Sequence, residues 1–123
     1  MIIGIQNVHY YLQNMDRAVE YYSAAFGCKK VFGDEHWTSL ALHGITIGLH
    51  GNNGWPVEKV PRNEHGAKAG GTLTLKSDNI AEDRARLEKL GSVIIGEAKT
   101  DWGHMLVFED LDGNILNLQH PSY

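Results

Sequence analysis

Two stretches of the chain carry apolar residues three or four positions apart, the spacing that puts them on one face of a helix. In the first stretch these residues are Met15, Ala18, Val19, Tyr22 and Phe26. In the second they are Ile80, Leu87 and Leu90, with Ala81 and Ala85 beside them. Both stretches are therefore predicted to be helices.

Each predicted helix has residues suited to its two ends. Asn14 precedes the first apolar stretch, and Asp78-Asn79 precede the second. Side chains of this kind accept a hydrogen bond from the first backbone N–H groups of a helix. Gly27 and Gly91 follow the last apolar residues, and both are predicted to take the left-handed conformation that ends many helices.

The stretches around the helices alternate between apolar and polar residues, as strands do. The predicted strands are 8–12, Lys30–Gly33, Trp37–Leu42 and Ile45–His50, followed by Thr72–Lys76, Val93–Glu97, His104–Glu109 and Ile115–Gln119. Each half of the chain therefore reads as one strand, one helix and three strands, a βαβββ unit. The predicted fold is α+β: two βαβββ repeats form a curved mixed sheet with the helices on its outer face.

Residues 1–123 are predicted to form a single domain. Its first half spans about 4–51 and its second half about 71–120. The intervening segment 51–70 is rich in Gly, Asn and Pro and shows no periodicity. It is predicted to be a structureless connection, and such a connection is either a functional cover or a plain tether.

The alternation also predicts which residues share a face of the sheet. In the fourth strand Ile47 and Leu49 point one way, whereas Thr46, Gly48 and His50 point the other. The aliphatic side should pack beneath the helices, because a sheet of this kind buries one face. The other side, which we call the polar face, is predicted to hold no carboxylate and to carry His9, Tyr11, Thr46, His50, Thr72, Thr74, Asn117 and Gln119. A concave face of this composition is suited to holding a small molecule.

Composition narrows the class of protein. The 123 residues are 42% hydrophobic and 21% charged, with a net charge of −4, which excludes general disorder. The 11 basic residues are scattered, so no nucleic-acid partner is expected. No apolar run reaches the ~20 residues of a membrane span, and the N-terminus does not resemble a signal peptide. Cys28 is the only cysteine, which fits a reducing compartment. We expect a cytoplasmic protein.

Two segments resemble the vicinal oxygen chelate superfamily of glyoxalases, fosfomycin- and bleomycin-resistance proteins and extradiol dioxygenases. The first runs from His9 to Gly27 and includes Asp16-Arg17-Ala18 and Tyr21-Tyr22. The second contains Asp110-Leu111-Asp112-Gly113-Asn114, which is similar to the family's Asp-Pro-Asp-Gly-Asn turn. The resemblance covers essentially the whole chain and implies the same duplicated plan.

The resemblance also implies where a divalent metal would be held, by His and Glu side chains in corresponding strands. The four positions fall on His9, Gly48, Thr72 and Asn117, of which His9 alone is a strong ligand. No cofactor is therefore expected, although a His9–His50 metal site is an open alternative. His104 lies where the family often lines its pocket, and is either a lining residue or an edge residue.

Two functions of different classes follow. The first is a small-molecule binding protein of the glyoxalase/bleomycin-resistance type with a depleted metal site. The second is a lyase, isomerase or dioxygenase-type enzyme that uses a divalent metal, or His9 or His50 as a base with Tyr11 or Asn117 steadying an oxyanion. Binding is favoured because the metal positions are depleted.

The arrangement of the halves gives two further expectations. The protein should be a homodimer. If the dimer pairs halves across the two chains, each cup combines His9 and His50 of one subunit with Thr72 and Asn117 of the other. The two halves should superpose with His9 over Thr72 and Gly48 over Asn117. Trp37 and Trp55 either stack on a planar ligand or pack in the core.

Overall fold

A computed structural model describes residues 1–122, and they form two compact units. The first unit is Met1–Val57 and the second begins at Glu58. Each unit contains one helix and one four-stranded mixed sheet. The predicted α+β architecture of two βαβββ modules is confirmed, but each module has its own sheet in place of the single sheet we expected. Alternation of residue types identifies strands and leaves their partners undetermined.

The first unit builds its sheet in the order β1-β4-β3-β2, with β1 parallel to β4 and the other pairs antiparallel. Its elements are β1 (Val8–Leu12), α1 (Met15–Phe26), β2 (Lys29–Gly33), β3 (Trp37–Leu42) and β4 (Ile45–Gly51). Ile47 and Leu49 are fully buried, on the face predicted to pack beneath the helix. The opposite face carries the residues described below.

The second unit repeats this order as β7-β10-β9-β8, with β7 parallel to β10. Its main elements are β7 (Leu73–Lys76), α2 (Ile80–Lys89), β8 (Val93–Thr100), β9 (Gly103–Glu109) and β10 (Ile115–Pro121). Leu106, Phe108 and Leu116 are fully buried on one face of this sheet. In the described part of the chain neither helix is long and apolar enough to cross a membrane.

The predicted helix ends are confirmed in both units. The Oδ1 atoms of Asn14 and Asn79 accept hydrogen bonds from backbone N–H groups three residues later, at 3.0 and 3.1 Å. Gly27 and Gly91 have φ angles of 74° and 98°, in the left-handed region. A residue with a Cβ would be strained at either position, which explains why glycine ends each helix.

The segment 51–70 is not structureless, and that prediction is wrong. Within the second unit it forms a hairpin of β5 (Arg62–Asn63) and β6 (Gly66–Ala67). The Oδ1 atom of Asn63 accepts the backbone N–H of His65 at 2.9 Å and so closes the turn. Strands of two residues are too short for any alternation to reveal them.

The strand registers correct the predicted correspondence between the halves. His9 lies opposite Gly48 in the first sheet, whereas Thr74 lies opposite Asn117 in the second. With Gly48 matched to Asn117, the counterpart of His9 is therefore Thr74, and the predicted match with Thr72 is two residues out of register. Thr72 precedes β7 by one residue.

Candidate ligand-binding site

Four aromatic rings gather on the polar face of the first sheet. They belong to His9, Tyr11, Trp37 and His50, and we call them the aromatic cluster. The register of β1, β3 and β4 places Trp37 opposite His50, and Tyr11 opposite His50 on the other side. The Tyr11 and His50 rings are stacked with centroids 4.4 Å apart, and Trp37 stands edge-on to His50 at 6.0 Å. His9 lies 5.6 Å from Trp37 and 6.2 Å from His50.

The indole of Trp37 fills the space directly above Gly48. A Cβ atom added at Gly48 would lie far inside van der Waals contact of Cη2 and Cζ2 of Trp37, and 3.0 Å from Cβ of His9. The indole is held there by a hydrogen bond from its Nε1–H to the Ser39 hydroxyl at 2.9 Å. Gly48 is thus the residue that permits an aromatic ring at this place in the sheet.

The turn before β3 fixes the backbone of Trp37. The Asp34 carboxylate accepts the backbone N–H groups of His36 and Trp37 at 2.8 and 3.1 Å. These two hydrogen bonds, the His36 bond first, hold the pKa of the Asp34 carboxyl below its usual range. The backbone N–H of Asp34 also donates to the Trp37 carbonyl at 2.8 Å, so the start of β3 is anchored on both sides.

Hydrogen bonds to the two histidines of the cluster determine their tautomers. Nδ1 of His50 lies 2.8 Å from the Gly51 carbonyl oxygen, and Nδ1 of His9 lies 3.3 Å from Oδ1 of Asn7. Since these oxygens only accept hydrogen bonds, each Nδ1 carries the proton. No residue in 1–122 forms a hydrogen bond with Nε2 of either ring. In the neutral rings each Nε2 is then the nitrogen that accepts a hydrogen bond.

The polar face of the second sheet holds a buried carboxylate, contrary to the prediction of a lining without one. Glu109 lies opposite Ile115 at the end of β9 and shares a face with Asn117. It is only 6% exposed, and it pairs with Nη1 of Arg62 and, at 3.2 Å, with Nζ of Lys59. Both cations precede the sheet in sequence, in the segment that we expected to be structureless.

The β5–β6 hairpin covers this second face. The Asn117 amide donates to the His65 carbonyl at 3.4 Å. A Cβ at Gly66 would lie 3.4 Å from the Asn117 amide and 3.6 Å from the Thr72 hydroxyl. Thr72 and Asn117 therefore lie near each other beneath the hairpin. Within residues 1–122, Oδ1 of Asn117 and Nη2 of Arg62 are buried without a hydrogen-bond partner.

The remaining predicted site residues lie apart from these two groups of contacts. Thr46 shares the first polar face opposite Ala41, and Thr74 and Gln119 share the second, with Thr74 exposed. His104 is on the helix-packed side of the second sheet, because it alternates with Met105 and lies opposite His120. Its Nε2 contacts Glu97 at 2.8 Å. Of the two alternatives given for His104, lining the polar face is therefore excluded.

The Glu97 contact gives His104 a structural role at the surface. Arg84 in α2 bonds the same Glu97 carboxylate at 2.5 Å. Hydrogen bonds from Arg84 first and His104 second hold the pKa of Glu97 below its usual range. This group links α2 to β8 and β9 through charge pairing at the surface.

The residues at the four family metal positions do not fit a divalent cation. A strong site offers several imidazole, thiolate or carboxylate ligands. Here the fourth-strand position is Gly48, and the indole of Trp37 fills the space into which its carboxylate would project. Thr72 and Asn117 supply a hydroxyl and an amide. No group of three or more His, Cys, Asp or Glu residues in 1–122 is arranged to hold a metal.

The one cysteine is also not part of a reactive site. Cys28 is 5% exposed, and burial raises the pKa of its thiol to about 11. Because the thiolate is the nucleophile, a thiol of this kind is inert near neutral pH.

Sequence reasoning missed Glu109 on the second face, and it left Trp37 on the first face open between stacking on a ligand and packing in the core. Trp37 had a signal: the tight turn His43-Gly44 pairs Leu42 with Ile45, and counting back along the ladder sets Trp37 opposite His50. The pairing of Arg62 and Lys59 with Glu109 had no such signal, since no sequence pattern relates their segment to β9.

The sequence profile of the Glyoxalase/Bleomycin resistance protein/Dioxygenase superfamily matches residues 4–118. The chain belongs to this superfamily. No curated protein matches its sequence.

Solved structures repeat the fold over nearly the whole chain. One is the fosfomycin resistance protein FosX from Listeria monocytogenes, with a TM-score of 0.80 and 14% identity over 99% of this chain and 96% of that one. FosX has also been solved as an E126Q mutant complexed with Mn(II) and 1S,2S-dihydroxypropylphosphonic acid. Another is TnmS3, an antibiotic binding protein from a Streptomyces species, with a TM-score of 0.66 and 25% identity over 98% of both chains.

Proposed function

We propose that this chain is a small-molecule binding protein of the glyoxalase/bleomycin-resistance type, which holds a flat, uncharged or weakly anionic ligand against the aromatic cluster. One observation carries the proposal: the indole of Trp37 lies above Gly48, where the fold family places a metal-binding carboxylate. At this position an aromatic ring replaces the carboxylate that would bind a metal. No resident metal is needed for binding of this kind.

The chemistry of the cluster supports a flat ligand. Tyr11 and His50 are already stacked, and Trp37 presents a large ring at right angles to His50. Aromatic pairs of these geometries contribute about 0.5–1.5 kcal/mol beyond the area they bury. A planar ring entering the cluster would form contacts of the same kind. The similarity to the antibiotic binding protein TnmS3 agrees with this interpretation.

A thermal-shift screen of small aromatic metabolites and antibiotics tests the proposal. We expect hits that stabilise the wild type and lose their effect in His50→Ala and Trp37→Ala. His36→Ala and Trp55→Phe are matched controls, because both side chains are well exposed and outside the cluster. Hits that survive loss of both His50 and Trp37 would place binding elsewhere and refute the proposal.

A second candidate function, an enzyme, is favoured by the Nε2 atoms of His9 and His50, which have no hydrogen-bond partner among residues 1–122. A neutral imidazole with a free lone pair is suited to act as a general base. Because FosX is a fosfomycin resistance protein, the direct test is to incubate the chain with fosfomycin and Mn²⁺ and follow the antibiotic by NMR. We expect no consumption. Consumption that disappears in His9→Ala would establish the enzyme in place of the binding protein.

A homodimer is also part of the proposal. Seven large apolar residues of the first unit are more than 60% exposed in the single chain, namely Met1, Ile2, Ile3, Ile5, Val31, Phe32 and Trp55. Large exposed apolar surfaces mark interaction sites, and two-fold pairing is the commonest form of assembly. Light scattering should give twice the chain mass of 13.7 kDa; a monomer mass at micromolar concentration would contradict it. A cytoplasmic location remains a prediction, which fractionation of expressing cells would test.

A further inference from the structure

We infer that the aromatic cluster selects flat ligands that donate two hydrogen bonds, such as an aromatic diol or a ring system bearing N–H groups. This inference rests on the proposed function and names its ligand class. It depends on a feature that aromatic packing alone does not require, the pair of acceptor nitrogens contributed by His9 and His50.

The Gly51 carbonyl and the Asn7 amide set which nitrogen of each neutral ring is the acceptor. His50 uses Nδ1–H on the Gly51 carbonyl at 2.8 Å, and His9 uses Nδ1–H on Oδ1 of Asn7 at 3.3 Å. A ring whose Nδ1 carries the only proton can only accept at Nε2. At Nε2 both rings can therefore accept a hydrogen bond from a ligand but cannot donate one.

The two acceptors belong to one site. The rings of His9 and His50 are 6.2 Å apart, with an angle of 37° between their planes. Both lie beside Trp37, at 5.6 and 6.0 Å. A single bicyclic ring system placed against the indole can therefore present hydroxyl groups on its edge to both histidines. A ligand left without donors would bury the two lone pairs unsatisfied, which is costly.

Charge points to the same class of ligand. None of the four side chains of the aromatic cluster carries a fixed charge, so a strongly anionic ligand would lose its hydration without gaining a cation. The site also has no carboxylate to pair with a ligand cation. A neutral donor, phenolic O–H or ring N–H, is the group that the cluster can satisfy.

The test compares a naphthalenediol with neighbouring hydroxyl groups and its dimethyl ether, which keeps the ring system and both oxygens but cannot donate a hydrogen bond. Isothermal calorimetry of both into the full-length protein measures the ratio of their dissociation constants. A neutral hydrogen bond contributes about fivefold in affinity, so the diol should bind about 10- to 30-fold more tightly than the ether.

Phenylalanine variants assign that preference to its residues. His50→Phe keeps a ring against Tyr11 but removes the acceptor, and His9→Phe does the same beside Trp37. Each should lower the diol preference about fivefold, whereas His36→Phe, at an exposed site, should leave it unchanged. Circular dichroism checks that the variants are folded.

The outcomes separate the inference from the proposed function. Equal affinity of the wild type for diol and ether would overturn the inference and leave aromatic binding intact. A diol preference that persists in both phenylalanine variants would also overturn it. Binding of neither probe would contradict the proposed function, and the inference would fall with it. The wild-type ratio decides the inference even if both variants fail to fold.

Discussion

The two sheets share one strand order but use their polar faces in opposite ways. In the first sheet this face carries the four rings of the aromatic cluster, none of which has a fixed charge. In the second sheet the face is covered by the β5–β6 hairpin and holds Glu109 between Arg62 and Lys59. The two copies of the module have thus diverged: the first presents an aromatic surface, whereas the second covers its polar face with its own hairpin.

The divergence can be followed at a single pair of corresponding positions. Gly48 has no side chain, and an indole enters the space above it. Asn117, at the matching place in β10, is 5% exposed beneath the hairpin and donates to His65. The identity of one residue on the fourth strand of each module therefore decides what can lie over the sheet. This contrast can be tested from both sides.

The largest effect is expected in the second sheet, from Arg62→Met. The substitution removes the cation that pairs with the buried Glu109, and Lys59, whose side chain is 61% exposed, cannot replace it fully. Breaking a buried pair by removing one partner costs about 3–5 kcal/mol. We expect a loss of about 3 kcal/mol in the free energy of unfolding, measured by urea denaturation.

Arg84→Met is the matched control for this variant. Arg84 pairs with Glu88 and Glu97 at the surface, and exposed pairs of this kind contribute little to the free energy of unfolding because water screens them. If Arg62→Met and Arg84→Met cost the same, the ion pair under the hairpin has no special role. The double variant Arg62→Met/Glu109→Leu should recover part of the loss, since the only charge it leaves without its partner is Lys59, whose side chain is 61% exposed to water.

The next effect is expected in the first sheet, from Gly48→Ala. The added Cβ would overlap the Trp37 ring, and overpacking of this kind costs about 1–3 kcal/mol. In a Trp55→Phe/Trp102→Phe background, Trp37 is the only tryptophan, so its fluorescence should shift as the indole is displaced. Gly71→Ala is the control, because a Cβ there meets nothing within 4 Å and its φ is not positive. An unchanged emission spectrum would show that Trp37 does not lie on Gly48.

Sequence predicted the modules better than the faces. The helices were predictable because apolar spacing and capping residues such as Asn14 and Gly27 act locally. The parity of β1 and β4 correctly placed His9, Tyr11 and His50 on one face. Local patterns predict the helices and the two faces of each strand, because the alternation of side chains along a strand is set by its own pleat.

What could not be predicted depends on pairing over long distances in the chain. The role of Glu109 requires a hairpin nearly fifty residues earlier, held by Arg62. The face of His104 required the register of β9 against β10, and the sequence near Trp102-Gly103 does not determine it. Thr72 was matched to His9 from the family resemblance and the similar helix, glycine and strand patterns of the two halves, and the strand register shifts the match to Thr74.

A smaller effect is expected at Cys28, which lies in the first unit but away from its open face. Burial raises the pKa of this thiol from 9.0 to about 11, so the folded protein retains a proton that the unfolded chain releases. Stability from this group is complete below pH 9 and is lost as the pH rises toward 11.

Chemical denaturation across that interval measures the effect. The difference in unfolding free energy between wild type and Cys28→Ala should shrink or reverse as the pH rises, because the variant lacks the titrating group. A difference that stays constant would show that the thiol titrates alike in the folded and unfolded chain.

The central claim is that the first face binds ligands through aromatic rings and not through a metal. Calorimetric titration of Ni²⁺, Co²⁺ and Zn²⁺ into chelator-treated wild type and His9→Ala tests it most directly. With Gly48 and Trp37 in place of a carboxylate, we predict no submicromolar metal site in either protein, and unchanged affinity for an aromatic ligand after chelation. One metal bound per chain with a submicromolar dissociation constant, abolished by His9→Ala, would contradict the account.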